Sequence, residues 1–239
     1  LLTLHNMNIV IIGTGYVGLV TGVGLASLGN NINFLDLDEN KIQNLSNKKI
    51  TFYEPGLEEY FNDDETFSRM FFSSDYASIE WQNIDIVFVC VQTPNNLETN
   101  SVDTNFLESA IKEINNVNND DLVITIKSTI PPYEIEKVCE KVGMDSSKLT
   151  FNPEFLREGT AVEDFFKPDR IVLGGTNNEK LNKLKELYTD FDCEIITTDS
   201  ISSQLIKYLA NTYLPLRLSF VNEATRLIDY SGGNLDDVL

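Results

Sequence analysis

A glycine-rich turn near the start of the chain restricts the fold more than any other feature. The apolar, mostly β-branched run Ile9–Ile12 leads into Gly13-Thr14-Gly15-Tyr16-Val17-Gly18, and a helical pattern follows over Val17–Leu28. Strand, G-x-G-x-x-G turn and helix in that order form a βα unit. The first glycine permits the tight turn, the second lets a ligand approach the backbone, and the third lets helix and strand pack closely. The free amides and positive dipole at the helix start favour a pyrophosphate. The next apolar run, Ile32–Leu35, ends in Asp36, 23 positions beyond Gly13. A carboxylate there accepts from the ribose hydroxyls of NAD and repels the 2′-phosphate of NADP. The alternative is that Asp36 merely opens the Asp-Leu-Asp-Glu-Asn turn. NAD is the expected cofactor.

The rest of the chain repeats the alternation. Ile86–Val91, Leu122–Ile126, Ile171–Leu173 and Glu194–Thr197 read as strands buried on both faces, with Met70–Phe72 and Leu149–Phe151 as weaker candidates. Helical patterns occupy Glu39–Leu45, Leu57–Phe61, Phe106–Ile114, Ile135–Val142 and Glu179–Thr189. Such alternation predicts an α/β fold, a Rossmann-like doubly wound parallel sheet. The loops Asn95–Asn100, Asn115–Asp121 and Asn177–Asn178 are polar and short. From Asp199 the pattern changes to one long helix over Ser200–Tyr230. It is too apolar for a surface helix, is capped by Asp199 or Ser200, and ends at Gly232-Gly233. Pro215 should kink this helix at Asn211, and Asn234–Leu239 starts another. The expected domains are 1–198 for the cofactor and 199–239 for a connecting, dimerising helix.

A net charge of −19 excludes nucleic-acid and anionic-membrane surfaces as partners. An anionic ligand must then rely on helix N-termini and a few placed cations, for which Lys127, Arg157, Arg170, Lys207 and Arg217 are candidates. Cys90, Cys139 and Cys193 are odd in number and widely spaced, so they predict neither a disulfide framework nor a metal site. Cys90, inside an apolar run, reads as a small buried hydrophobe. His5 precedes the folded pattern and has no expected catalytic part. No apolar run approaches the roughly 20 residues of a membrane span, and Leu1–Asn6 lacks signal-peptide features, so a cytoplasmic protein is expected.

Four further segments carry chemistry. Thr93-Pro94 follows the strand Ile86–Val91, at the carboxyl edge where open α/β sheets bind ligands. Lys127-Ser128-Thr129 ends the next strand, and Pro131-Pro132 starts a helix; Thr129 either faces the same crevice or caps that helix. In Asn152-Pro-Glu-Phe-Leu-Arg-Glu-Gly159, Glu154 and Glu158 lie four apart around a bend, where two near carboxylates can divide into a base and an anchor. Lys207 and Asn211 share one face of the long helix. A lysine in an apolar stripe needs an anionic or oxyanionic partner, or must snorkel to water.

Taken in this order, from Met7 to Leu239, these motifs resemble the UDP-glucose/GDP-mannose dehydrogenase family. The resemblance implies an NAD site made by Gly13, Gly15, Tyr16, Val17 and Gly18, with Asp36 and Lys41 near the adenosine. Thr93, Pro94, Thr129 and Glu158 would lie toward the nicotinamide half. It further implies that Thr129 and Glu154 hold a catalytic water. The backbone of Phe155, Leu156, Arg157 and Glu158 would hold a hexose, and Lys207 with Asn211 an oxyanion. In the implied reaction C6 of UDP-glucose is oxidised twice through a cysteine thiohemiacetal and thioester, and hydrolysis gives UDP-glucuronate. The nucleophile belongs to a later glycine-rich segment; none of Cys90, Cys139 or Cys193 has its context. GDP-mannose or a UDP-N-acetylhexosamine are alternative substrates of the same chemistry. A chain that binds NAD without catalysis is the alternative of another class. The long helix implies a homodimer. Two positions depart from the family pattern: Gln92 replaces a usual glycine, and Pro215 a small residue.

Overall fold

A computed structural model of the protein describes residues 6–96 and 101–238. His5, the end of the expected 95–100 loop and Leu239 lie outside the described residues.

The first half of the chain runs β1 (Asn8–Ile12), α1 (Tyr16–Ser27), β2 (Asn31–Leu35), α2 (Glu39–Ser46), α3 (Leu57–Asn62), α4 (Asp64–Ser68), β3 (Met70–Ser73) and β4 (Ile86–Val89). A two-residue pairing of β5 (Asn95–Asn96) with β6 (Ser101–Val102) precedes α5 (Asn105–Asn115), β7 (Val123–Ile126), α6 (Pro132–Val142) and β8 (Leu149–Phe151). Then follow α7 (Ala161–Phe166), β9 (Arg170–Gly174), α8 (Asn178–Glu186), β10 (Glu194–Thr198), α9 (Ser200–Ser231) and α10 (Leu235–Val238). The main sheet has the order β10-β9-β8-β7-β4-β1-β2-β3.

From β3 to β8 neighbouring strands are parallel, the doubly wound arrangement expected from the alternation. β4, β7 and β8 are buried along their whole length, which explains their continuous apolar composition. One apolar cluster packs α1, α3 and α8 on one face, and a second packs α5 and α6 on the other. The strand order reverses between β1 and β4, so their carboxyl ends open a crevice.

The sheet departs from the sequence expectation at one edge. β9 runs antiparallel to β8, with Phe151 opposite Gly174, and β10 follows β9. A parallel continuation needs a crossover that carries the chain back to the amino edge of the sheet. Residues 152–169 contain only the six-residue α7, which packs on α1. The chain therefore re-enters from the carboxyl edge and turns back.

α9 is capped by Asp199, whose Oδ1 accepts from the Ser202 amide at 2.8 Å, and ends at Gly232 in the left-handed region (φ +71°). It is continuous through Pro215. Its first turns bury Ser203, Gln204 and Lys207 against β8 and β9. Gly174 allows that approach, because a Cβ there would collide with the Ser203 hydroxyl. Farther on, Tyr213, Leu214, Leu216, Leu218 and Phe220 are exposed. Among the described residues no helix is long and apolar enough to cross a membrane.

Candidate functional site

The glycine-rich turn sits where β1 meets the switch in strand order. Gly13 takes φ +95°, and its amide donates to the Leu35 carbonyl at 2.8 Å. A Cβ at Gly13 would stand 2.7 Å from the Cys90 carbonyl oxygen, and one at Gly18 would collide with the Gly13 carbonyl. Gly15 is different: it caps α1, and nothing lies within 4 Å of where its Cβ would be. Space is thus left over the first amides of α1, including those of Tyr16 and Val17. That is what a closely approaching pyrophosphate requires.

Asp36 is held by four donors. The Thr14 amide (2.8 Å) and hydroxyl (2.7 Å) and the Lys41 ammonium (3.1 Å) reach Oδ2, and the Asp38 amide reaches Oδ1 (3.1 Å). Burial opposes ionisation, but these donors outweigh it and hold the carboxyl below its ordinary range. Asp36 therefore carries charge at neutral pH. It borders a cavity of about 400 Å³ whose walls include Gly13, Leu35, Lys41, Tyr76, Val91 and Phe106. An apolar cleft with a charged acceptor at one rim suits a nucleoside. Gln92 is exposed and also lines it.

The loops after β4 and β7 are tied together. The Thr93 hydroxyl donates to the Thr129 carbonyl at 2.8 Å, and the Ser128 hydroxyl to the Val91 carbonyl at 2.6 Å. The Pro94 carbonyl accepts from the Asp103 amide at 2.8 Å. The N-cap of α6 is Pro131, so Thr129 is not the capping residue.

Beyond β8 the chain crosses toward α9. Glu154 Oε1 pairs with Lys207 Nζ at 2.8 Å, with the two side chains only 12% and 8% exposed. Its Oε2 accepts from the Leu156 amide at 2.8 Å. The Phe155 ring lies under two cations, with Arg170 4.4 Å and Lys207 5.3 Å from its centroid. Lys207 and Thr129 also share a cavity of about 10 Å³ with Ser128, Pro153 and Gln204, room for about one water. Asn211 is exposed one turn beyond Lys207, and Glu158 is exposed at the end of the loop.

One expectation is corrected here. Lys127, a candidate for holding an anionic ligand, is buried inside the protein and donates to Asn152 Oδ1 (2.9 Å) and to its carbonyl (3.4 Å). Burial pushes its ammonium down to about 8, against the opposing pull of Cys90 and Glu154. Arg157, largely exposed, pairs with Asp164, with its guanidinium at 2.6 Å and its amide donating at 2.9 Å. The Leu156 and Arg157 amides are thus engaged within the loop in this state. Arg217 lies on the exposed part of α9, beyond Lys207. Cys90 and Cys139 are buried; burial first of all pushes their thiols up to about 12 and about 11, which makes them poor nucleophiles.

With the glycine turn, the acid after β2 and the Glu154–Lys207 pair in place, comparison with known proteins is decisive. The profile of the UDP-glucose/GDP-mannose dehydrogenase family, NAD binding domain, matches residues 7–192. The chain belongs to this family. Its matched part is the NAD-binding domain, and NAD is its cofactor. A UDP-glucose 6-dehydrogenase of Rickettsia felis is 38% identical over 237 residues, covering 97% of this chain and 52% of that protein. Among solved structures, a UDP-glucose dehydrogenase from Pyrobaculum islandicum superposes with a TM-score of 0.88 at 31% identity, covering 99% of this chain and 56% of that one. A GDP-mannose dehydrogenase from Pseudomonas aeruginosa also gives 0.88, at 26% identity, over 97% and 55%. The chain spans about half the length of the curated relatives it matches.

Several residues of the site were not legible as such. Asn152 accepts from Lys127 and, at 2.6 Å, from the Tyr188 hydroxyl, and donates to the Val172 carbonyl at 3.0 Å; this fixes where the loop leaves the sheet. Glu54, far upstream, reaches the same loop from the other side. The Asn-Pro-Glu motif draws attention to Asn152, but no spacing rule pairs it with Tyr188 or brings Glu54 to Gly159.

Proposed function

We propose that this chain is the cofactor half of an NAD-dependent UDP-glucose 6-dehydrogenase that oxidises UDP-glucose to UDP-glucuronate. The observation that carries this reading is the enclosed pair of Lys207, beside Thr129, with Glu154 of the Asn-Pro-Glu-Phe-Leu-Arg-Glu-Gly segment. The identity to UDP-glucose 6-dehydrogenases supports it. NAD supplies the hydride acceptor. Lys207, with Asn211 one turn on, stabilises the oxyanion that forms at C6, and Glu154 with Thr129 positions the attacking water. The loop Phe155–Glu158 holds the hexose, and Glu158 closes on the nicotinamide half of NAD. Substrate binding then requires the Leu156 and Arg157 amides to turn from their internal partners, or the hexose to use their neighbours. The cysteine nucleophile and most nucleobase contacts come from beyond residue 239. The test is a panel of sugar nucleotides with the full-length protein. UDP-glucose should support NADH formation with the highest kcat/KM, and NADP should replace NAD poorly because Asp36 repels a 2′-phosphate. Preference for GDP-mannose or a UDP-N-acetylhexosamine would reassign the substrate within the family. Absence of NADH with all of them would favour a non-catalytic NAD-binding role.

Residues 1–198 form the cofactor domain in this reading, and 199–239 begin the unit that joins it to the remainder. The exposed apolar segment Leu209–Phe220 of α9 is then an interface with a second copy, since exposed apolar surface of that extent seeks cover. Sedimentation should show a dimer, and replacement of Leu214 and Leu218 by glutamate should shift it to monomer. A monomer before substitution would remove the interface assignment.

A further inference from the structure

The Glu154–Glu158 loop is fixed at its start by Asn152, but its far end rests on a residue with no assigned role. Glu54 is only 4% exposed, in the loop that leads into α3. Its Oε2 accepts from the Gly159 amide at 2.9 Å and its Oε1 from the Ala161 amide at 2.8 Å, across more than a hundred residues of sequence. Gly159 has φ +90°, a backbone state that a side chain would disfavour. The same two segments stay close at the next residues: a Cβ added to Gly56 would lie 3.6 Å from Val162. Beside the clamp stands Tyr16, the first residue of α1, with its ring 6.1 Å from that of Phe52 and its hydroxyl buried without a hydrogen-bond partner among the described residues. The clamp thus ties the end of the Glu154–Glu158 loop to the element packed against the pyrophosphate turn.

We infer that Glu54 is a positioning residue that sets the spacing between the pyrophosphate turn Gly13–Tyr16 and the loop carrying Glu158, and so places Glu158 against the nicotinamide half of NAD. This rests on the NAD-contact role proposed for Glu158. Glu54 does not line the nucleoside cavity, so its effect should fall on the other half of the cofactor. Glu54→Gln is nearly isosteric, but its NH2 group faces one of the two amides and cannot accept from it.

The test titrates this chain by calorimetry with NAD and with ADP-ribose, which lacks the nicotinamide. Glu54→Gln should weaken NAD by about 10-fold, the scale of a lost contact to a charged group, and leave ADP-ribose within about twofold. Glu54→Asp, which keeps the charge but falls short by one methylene, should fall between; it also serves if the glutamine variant folds poorly. Hydrogen exchange at Gly159 and Ala161 should accelerate in both variants without spreading to β1 or β4. Equal weakening of both ligands, or unchanged exchange at these two amides, would overturn the inference. Accelerated exchange with an unchanged ratio of NAD to ADP-ribose affinity would retain the clamp but overturn its positioning role. If the unsubstituted chain bound ADP-ribose and NAD equally, the role of Glu158 would fail instead, and exchange would still report on the clamp.

Discussion

Replacing Lys207 by alanine is expected to lower turnover of the full-length protein at least ~10²-fold, the usual loss when one oxyanion donor is removed, while NAD affinity barely changes. The reasoning starts from the cost of the residue. A lysine 8% exposed on α9 is stable there because the Glu154 carboxylate stands 2.8 Å away and the Phe155 ring 5.3 Å away. Removing the ammonium leaves Glu154, itself 12% exposed, without its cation. The variant should therefore also lose stability, by roughly 3 kcal/mol as for a broken buried pair. A second arm separates the two effects. Lys207→Met with Glu154→Leu removes both charges, so it should regain much of the stability in denaturant unfolding while remaining inactive. Retained turnover in Lys207→Ala would place the chemistry elsewhere. Loss of NAD binding along with turnover would mean that the pair only holds the domain together.

The fold was legible where local pattern and tertiary need agree. β4 and β7 are buried on both faces, so they appear as unbroken apolar runs, and Gly13 to Asp36 carries its spacing in the sequence. β9 and β10 were equally visible as strands, but their direction was not. Direction depends on which edge of the sheet the chain re-enters, and α7, which decides this, is with six residues too short to show a period. Glu154, Thr129 and Lys207 were marked by their motifs, and the need of Lys207 for an anion could be argued from burial cost alone. That the anion is Glu154 could not, because nothing local links positions 154 and 207. Lys127 shows the opposite failure. A lysine at a strand end near a ligand crevice invites an electrostatic role, yet the structure commits it to Asn152 within the interior. Glu54 was invisible for the same reason in reverse: a polar residue in a Tyr-Glu-Pro-Gly turn looks solvated until the distant loop it clamps is in view.

The two glycines at either end of the helix start should separate folding from binding. Gly18→Ala would force a methyl group into the Gly13 carbonyl, a backbone atom that cannot move without shifting β1 against α1. It should cost about 2–4 kcal/mol, in the range of overpacked or strained core sites, and should abolish NAD binding because the turn itself is displaced. Gly15→Ala meets nothing within 4 Å, and Gly15 already has φ −71°, open to any residue. Because alanine is a poorer N-cap than glycine, Gly15→Ala should lose up to about 1 kcal/mol of stability, less than Gly18→Ala. Its added methyl instead occupies the space over the first amides of α1, where the pyrophosphate must approach. NAD affinity should then fall by at least ~10-fold, about 1.4 kcal/mol, in a protein that remains folded in the absence of denaturant. The pair is measured by calorimetric titration beside denaturant unfolding. If Gly15→Ala bound NAD normally, the pyrophosphate would not lie on the Gly13–Gly18 turn. If Gly18→Ala were as stable as the parent, the close packing of that turn on α1 would be wrong.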